Sequence, residues 1–148
     1  MDRGAAVILT ALVGGLVALQ APINSGLGKS IGTFQAAFVS FTIGTVLLAA
    51  IAGVAGGGFG GISGGVREVA PQYLIGGLLG AAYVTTVLVT VRALGAGGVT
   101  AATITGQLAM SVAVDHFGWL GVERDPLSLD RVAGLVLLAA GTFLIVRD

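Results

Sequence analysis

Charged residues are so sparse in this sequence that they divide it into a few long uncharged intervals. The intervals are 4–28, 30–66, 69–91, 93–114 and 132–146. A helix that crosses about 30 Å of hydrocarbon needs roughly 20 apolar residues, and each of the first four intervals reaches that length. Only 9% of the residues are charged, whereas soluble domains average about 25%. The sequence therefore predicts an all-α integral membrane protein.

The second interval is too long for one helix, and its glycine-rich end, residues 55–65, indicates a flexible linker. Removing the linker leaves a bundle of five transmembrane helices, in a single transmembrane domain over residues 1–148. We place the five spans at 5–23, 34–54, 72–91, 98–117 and 131–146. Because the fifth is short, we expect Arg131 and Arg147 to snorkel from its two ends.

Five spans put the termini on opposite sides of the membrane and sort the basic residues into a group of four and a group of three. The groups are Arg3, Arg67, Arg124 and Arg131 on one side, and Lys29, Arg92 and Arg147 on the other. Because orientation follows the Lys/Arg difference between loops, this balance gives almost no bias. It predicts either dual topology, with inverted copies pairing as an antiparallel homodimer, or an orientation fixed by another signal.

Polar residues inside a span mark the interior of a membrane protein, because hydrocarbon cannot satisfy them. In the first span Gln20 and Asn24 lie one turn apart, and Pro22 between them removes a backbone donor. Interrupted helices at membrane depth often form transporter sites, so this segment predicts a helix break and a substrate site. The alternative is an ordinary helix end followed by an exit turn.

Two other spans carry polar residues at helical spacing. The third contains a stripe of Tyr83, Thr86 and Thr90, which is typical of either a cavity or a helix contact. The fourth presents one row of side chains along a single face: Thr100, Thr103, Gln107, Ser111 and Asp115. From these faces we predict a substrate-binding set of five residues: Gln20, Asn24, Tyr83, Thr103 and Gln107.

Asp115 and His116 stand together at the end of the fourth span. An ionised carboxylate at mid-depth costs about 2.5–3.5 kcal/mol on insertion scales, so a carboxylate beside a histidine favours a proton or cation coupling site. The alternative is interfacial anchoring, since Phe117 and Trp119 follow as an aromatic belt would.

Several classes of function are excluded by composition. The absence of cysteine and the presence of a single histidine argue against a metal site, and no cofactor is expected. Basic and acidic residues both number 7, so nucleic-acid binding is not expected either. No motif supplies a nucleophile, a base and oxyanion donors together, and we predict no enzyme activity.

A series of short motifs resembles the YdcZ-type family of small membrane proteins, within the drug/metabolite transporter superfamily. The motifs are Gln20, Pro22 and Asn24; Ser40, Phe41 and Gly44; Gly106 and Gln107; Asp115 to Gly118; and Arg131 and Gly134. The resemblance covers nearly the whole chain. It implies one half of a ten-helix inverted-repeat architecture, completed by an antiparallel homodimer, in the bacterial cytoplasmic (inner) membrane.

The predicted function is a small-solute membrane transporter that works by alternating access as an antiparallel dual-topology homodimer. Its partners are a small-molecule solute, the lipid bilayer and a second copy of itself. The related four-helix exporters use a Glu in their first helix to exchange protons for cationic substrates, where this chain has only Gln20 and Asn24. This argues against proton-coupled cation export unless Asp115 substitutes, and it makes uniport of a polar, neutral metabolite an option. The alternatives are a small dual-topology ion channel and an assembly subunit that transports nothing.

Overall fold

The computed structural model describes residues 2–147, apart from the side chain of Ser63. This part of the chain folds into helices and loops and contains no strand, so the all-α prediction is confirmed. The helices are α1 (Arg3–Ile31), α2 (Thr33–Val54), α3 (Ile62–Glu68), α4 (Gly76–Phe117) and α5 (Leu129–Val146). Short 3₁₀ turns lie at Pro71–Leu74 and Trp119–Gly121.

The longest helix, α4, contains two of the predicted spans. Its 42 residues would extend about 63 Å as one straight helix, roughly twice the hydrocarbon thickness. Gly95 interrupts it with φ 67° and ψ 172°, a conformation essentially restricted to glycine. We call the two segments α4a (76–94) and α4b (96–117). Among the described residues, four helical stretches are long and apolar enough to cross a membrane, and the one over Pro71–Phe117 contains both α4a and α4b. Division at Gly95 thus gives five segments: α1, α2, α4a, α4b and α5.

The first helix does not break at Pro22, where the sequence analysis expected an interruption. Instead α1 continues through Pro22 and ends at Ile31, well beyond the predicted end of the span at residue 23. Proline removes one backbone hydrogen bond, but transmembrane helices tolerate this where neighbouring helices and local adjustments satisfy the freed carbonyl. Pro22 thus lies inside a helix, and both Gln20 and Asn24 are helical.

The connection between α1 and α2 consists of Gly32 alone. Its N–H donates to the Gly28 carbonyl at 3.0 Å, and its carbonyl accepts from the N–H of Ala36 at 3.0 Å. Gly32 has φ 96°, so only a residue without a β-carbon adopts this link without strain. The two helices therefore follow each other almost without a loop.

The glycine-rich linker is partly helical, which differs from the expectation of a flexible segment over 55–65. Residues 55–61 form turns and bends, but α3 begins at Ile62 and runs for 7 residues. Glycine costs a helix about 1 kcal/mol per residue relative to alanine, so it disfavours but does not forbid a helix of this length.

The chain divides into two compact units. We call Leu19–Arg92 the central unit, and Met1–Ala18 together with Ala93–Asp148 the terminal unit. The central unit has an apolar core made by Ala36, Ala37, Val84 and Leu88, against which Leu27 and Tyr83 pack. The two alanines allow α2 to approach its neighbours closely, as small residues do in membrane proteins.

Most apolar side chains outside this core are exposed. In α5, for example, none of the described residues is buried, and Leu137 is 72% exposed. In a bilayer such a surface is satisfied by lipid tails or by another protein helix, whereas in water it would drive aggregation. The exposure pattern is that of a membrane protein.

Candidate solute-binding site

Asn24 is the most unusual polar residue of the central unit. Its side chain is only 5% exposed, and its Nδ2 atom is buried without a hydrogen-bond partner. A buried amide donor left unpaired costs about 1–3 kcal/mol, which is why such groups are rare in native structures. An unsatisfied donor of this kind is available to a ligand that brings an acceptor.

The burial of Asn24 follows from the spacing of small residues along α1. Ala21, Asn24, Ser25 and Gly28 are the buried residues of this helix, and their separations of three and four place them on one face. Small side chains let this face pack tightly, so the amide at position 24 is enclosed with them. Gln20 lies one turn away and is exposed.

Tyr83 belongs to the same unit as Asn24. It is half-buried and packs against the apolar core. Thr90, which continues its stripe, donates its hydroxyl to the carbonyl of Thr86 at 3.0 Å, within the same helix. The stripe therefore makes packing contacts and hydrogen bonds within its own helix. Whether it also lines a cavity stays a prediction.

Thr103 and Gln107 belong to the terminal unit, on α4b. Thr103 is half-buried and Gln107 is exposed. The five predicted substrate residues are therefore not assembled within one unit, since Gln20, Asn24 and Tyr83 belong to the central unit. Their joint role in binding stays a prediction.

The terminal unit contains a pair of threonines that the sequence analysis missed. The hydroxyls of Thr105 on α4b and Thr142 on α5 are 2.6 Å apart, and Thr142 also donates to the carbonyl of Ala101 at 3.1 Å. Thr142 is the one polar residue inside the otherwise apolar stretch 132–146. A lone hydroxyl in a span is the signal that would have pointed to this contact.

Asp115 is paired in the structure. Its Oδ2 lies 3.3 Å from Nη1 of Arg131, and Nη2 of Arg131 also pairs with Asp125. The carbonyl of Asp115 accepts the N–H of Asp125 at 2.9 Å. The side chains of Asp115 and Arg131 are each about one third exposed. This is an ion-pair network at the end of α4b.

His116 anchors the loop that joins α4 and α5. Its Nδ1 accepts the N–H of Leu127 at 3.1 Å, and its carbonyl accepts from Nε of Arg124 at 3.0 Å. The ring contacts Phe117 edge to face, and Phe117 stacks on Trp119. These contacts give His116 a structural role in the loop, and both the coupling role of Asp115 and His116 and their anchoring at the membrane interface stay predictions.

An open polar depression of about 400 Å³ lies beside this network, lined by Asp115, Glu123, Arg124 and Asp125. Its carboxylates are neighboured by Arg124 and Arg131, which offset their charge. Among the residues described, no group of three or more His, Cys, Asp or Glu side chains is placed to hold a metal ion.

The sequence model of one protein family, described as "Putative inner membrane exporter, YdcZ", matches residues 5–144. The match covers α1 to α5 almost completely. No curated protein and no solved structure matches the chain.

Proposed function

The chain belongs to the YdcZ family of inner membrane exporters, as its motifs predicted, and on this premise we propose that it carries a small solute across the membrane as an antiparallel homodimer. It is an integral protein of the inner membrane, and its family is one of exporters rather than enzymes. The proposal adds three elements to that membership: the inverted pairing, alternating access and a solute site lined by Asn24 and its neighbours.

Two exposed glutamines carry the proposal. Gln107 lies at the centre of α4b, and Gln20 lies near the middle of α1. Both side chains are exposed, and within residues 2–147 neither makes a hydrogen bond. Hydrocarbon cannot satisfy an amide at this depth, so each must meet water, a solute or polar atoms of another chain. A transport pathway between two copies supplies all three.

The balance of basic residues supports the inverted pairing. Five crossing segments leave four Lys or Arg on one side and three on the other, too small a difference to impose one orientation. One copy in each orientation generates the ten-helix arrangement of inverted halves, with a site at their interface near the midplane. Rocking of one bundle against the other then exposes the site to each side in turn.

The absence of cysteine from the chain makes a direct test available. We expect Gln20→Cys and Gln107→Cys to react with a membrane-impermeant maleimide, because a solute pathway is wet. Leu19→Cys is the matched control, since Leu19 is 56% exposed on α1 at the depth of Gln20 but lies opposite the buried face of the helix and is expected to face lipid. If positions 20 and 107 are labelled no faster than position 19, the wet pathway is contradicted.

Orientation is tested in the same background. Phe59→Cys lies in the exposed connection between α2 and α3. Dual topology predicts that the impermeant reagent labels about half of the molecules in intact cells and the remainder after permeabilisation. Labelling of all molecules, or of none, in intact cells would show a single orientation and contradict the inverted pairing.

A further inference from the structure

The central unit holds basic side chains with almost no acidic ones. Lys29, Arg67 and Arg92 are accompanied by a single carboxylate, Glu68. Glu68 directly follows Arg67 in α3, which lies after α2 in the chain. Lys29, in the last turn of α1, and Arg92, near the end of α4a, therefore have no carboxylate of their own to balance them.

Arg92 lies against the backbone of α1. A β-carbon at Gly28 would be 3.5 Å from Nη2 of Arg92, so the guanidinium is within van der Waals reach of this buried glycine. In the part of the chain that the structure describes, Arg92 forms no ion pair and no hydrogen bond through its side chain. Arg92 is exposed, so its guanidinium is open to an incoming ligand.

Asn24 lies one helical turn from Gly28 on the same buried face of α1. Four residues advance about 6 Å along the axis, so Asn24, with its unpaired Nδ2, lies one turn along α1 from the glycine that the guanidinium of Arg92 approaches. Both groups are donors, and one of them is a permanent cation. A ligand that satisfies both must bring acceptors and negative charge.

We infer that this site takes an organic anion, whose carboxylate or phosphate group accepts hydrogen bonds from Nδ2 of Asn24 and from the guanidinium of Arg92. The inference rests on the proposed function and names the class of its solute. A guanidinium binds such oxygens through charge-assisted, often bidentate hydrogen bonds. The conventional role of Arg92, stabilising the C-terminal end of α4a, leaves the buried donor of Asn24 without an explanation.

Three ligands of nearly the same shape test how binding depends on the charge of the ligand while its size stays constant. Benzoate is an anion, benzamide is neutral and benzamidine is a cation, and each joins one planar group to the same ring. The measurement is the thermal stability of the purified full-length protein in a neutral detergent without lipid, since a ligand that binds the folded state raises it by mass action. We expect stabilisation in the order benzoate, benzamide, benzamidine.

Variants identify the residues that bind. Arg92→Gln and Asn24→Leu should each weaken benzoate binding by about tenfold, the loss typical of one charge-assisted hydrogen bond. Asn24→Asp places a carboxylate near Arg92, which can pair with it, and should therefore abolish the preference for benzoate over benzamide. Arg67→Gln is the control, because Arg67 carries the same charge in the same unit on α3, and benzoate binding should be unchanged.

An anionic lipid headgroup carries the same kind of acceptor oxygens as a free organic anion. Reconstitution of the protein into nanodiscs distinguishes these two sources of the anion. If the anion is a free solute, benzoate binds equally well in phosphatidylcholine nanodiscs with and without phosphatidylglycerol. If it is a headgroup, phosphatidylglycerol itself stabilises the protein, competes with benzoate and loses its effect in Arg92→Gln. Either result supports an anion site at Asn24 and Arg92.

Two results would overturn the inference. One is a stronger effect of benzamide or benzamidine than of benzoate on the unmodified protein, and the other is benzoate binding that neither Arg92→Gln nor Asn24→Leu weakens. Failure of all three probes at millimolar concentration also counts against it. Labelling at Gln20→Cys and Gln107→Cys is independent of these measurements, so a wrong solute class is distinguishable from a wrong function.

Discussion

The two units of this small protein use their polar residues in opposite ways. In the terminal unit, Thr105 bonds Thr142, and Arg131 pairs with Asp115 and Asp125. In the central unit, an apolar core packs tightly while Asn24 stays unpaired. The terminal unit thus joins its helices through polar contacts, although Gln107 stays exposed there, whereas the central unit joins its helices through an apolar core and buries one donor without a partner.

The largest expected effect tests where the packing energy lies. Leu88 is 1% exposed in the core of the central unit, so Leu88→Ala should lower the free energy of unfolding by about 2–4 kcal/mol. Val136→Ala is the counterpart in the terminal unit, where Val136 is 60% exposed on α5, and should change it by less than about 0.5 kcal/mol. Unfolding in mixed detergent micelles measures both. Equal losses of stability in the two variants would contradict the idea that the packing energy lies in the central unit.

The sharpest test replaces a polar side chain by an apolar one of similar size in each unit. Thr142→Val removes two hydrogen bonds between α4b and α5 and should lower stability by about 1 kcal/mol. Asn24→Leu removes an unpaired buried donor and should raise the stability of the ligand-free protein by about 1 kcal/mol. Thermal unfolding without ligand gives both values, and effects of the same sign would remove the distinction between the units.

A smaller effect is expected from the ion-pair network. Arg131→Met keeps an apolar stem like that of arginine but removes the partner of Asp115 and Asp125. It should lower stability by about 0.5–1 kcal/mol, because the ion pair is partly exposed. The loss should shrink in high salt. Arg3→Met is the control, since Arg3 forms no ion pair within residues 2–147. An effect of Arg131→Met no larger than the control would mean that the network adds nothing to stability.

The smallest effect is local. His116→Phe keeps an aromatic ring against Phe117 but removes the acceptor of the Leu127 N–H. Hydrogen exchange at the amide of Leu127 should accelerate by about tenfold, while global stability changes by no more than a few tenths of a kcal/mol. Phe117→Leu is the control, because it alters the aromatic contacts without touching the acceptor. Unchanged exchange at Leu127 would show that His116 does not hold the loop.

Much of the fold follows from the uncharged intervals, because span length and charge position are local properties of the sequence. The fourth predicted span ends at Phe117, and so does α4. What the local pattern does not contain is which face of a helix meets a neighbour. Gln20 and Asn24 look equivalent in sequence, yet only Asn24 is buried, because Ala21, Ser25 and Gly28 extend its face and not that of Gln20.

The partners of charged residues were equally inaccessible to sequence reasoning. The length of the fifth span predicts that Arg131 snorkels from its end, but in the structure Arg131 pairs with Asp115, 16 positions away. The pairing depends on the course of the loop after Gly118, which His116 and Arg124 hold. Asp115 was singled out for its depth, and this partner offsets the charge on which a coupling role would depend.

The single-residue link at Gly32 has a consequence for biogenesis. With no loop to translocate separately, α1 and α2 are suited to enter the bilayer together as one helical hairpin, whose two ends lie on the same side of the membrane in either orientation. The orientation of two crossings is then decided in one event. Lengthening the link at this position would uncouple that decision and allow each helix to insert by its own flanking charges.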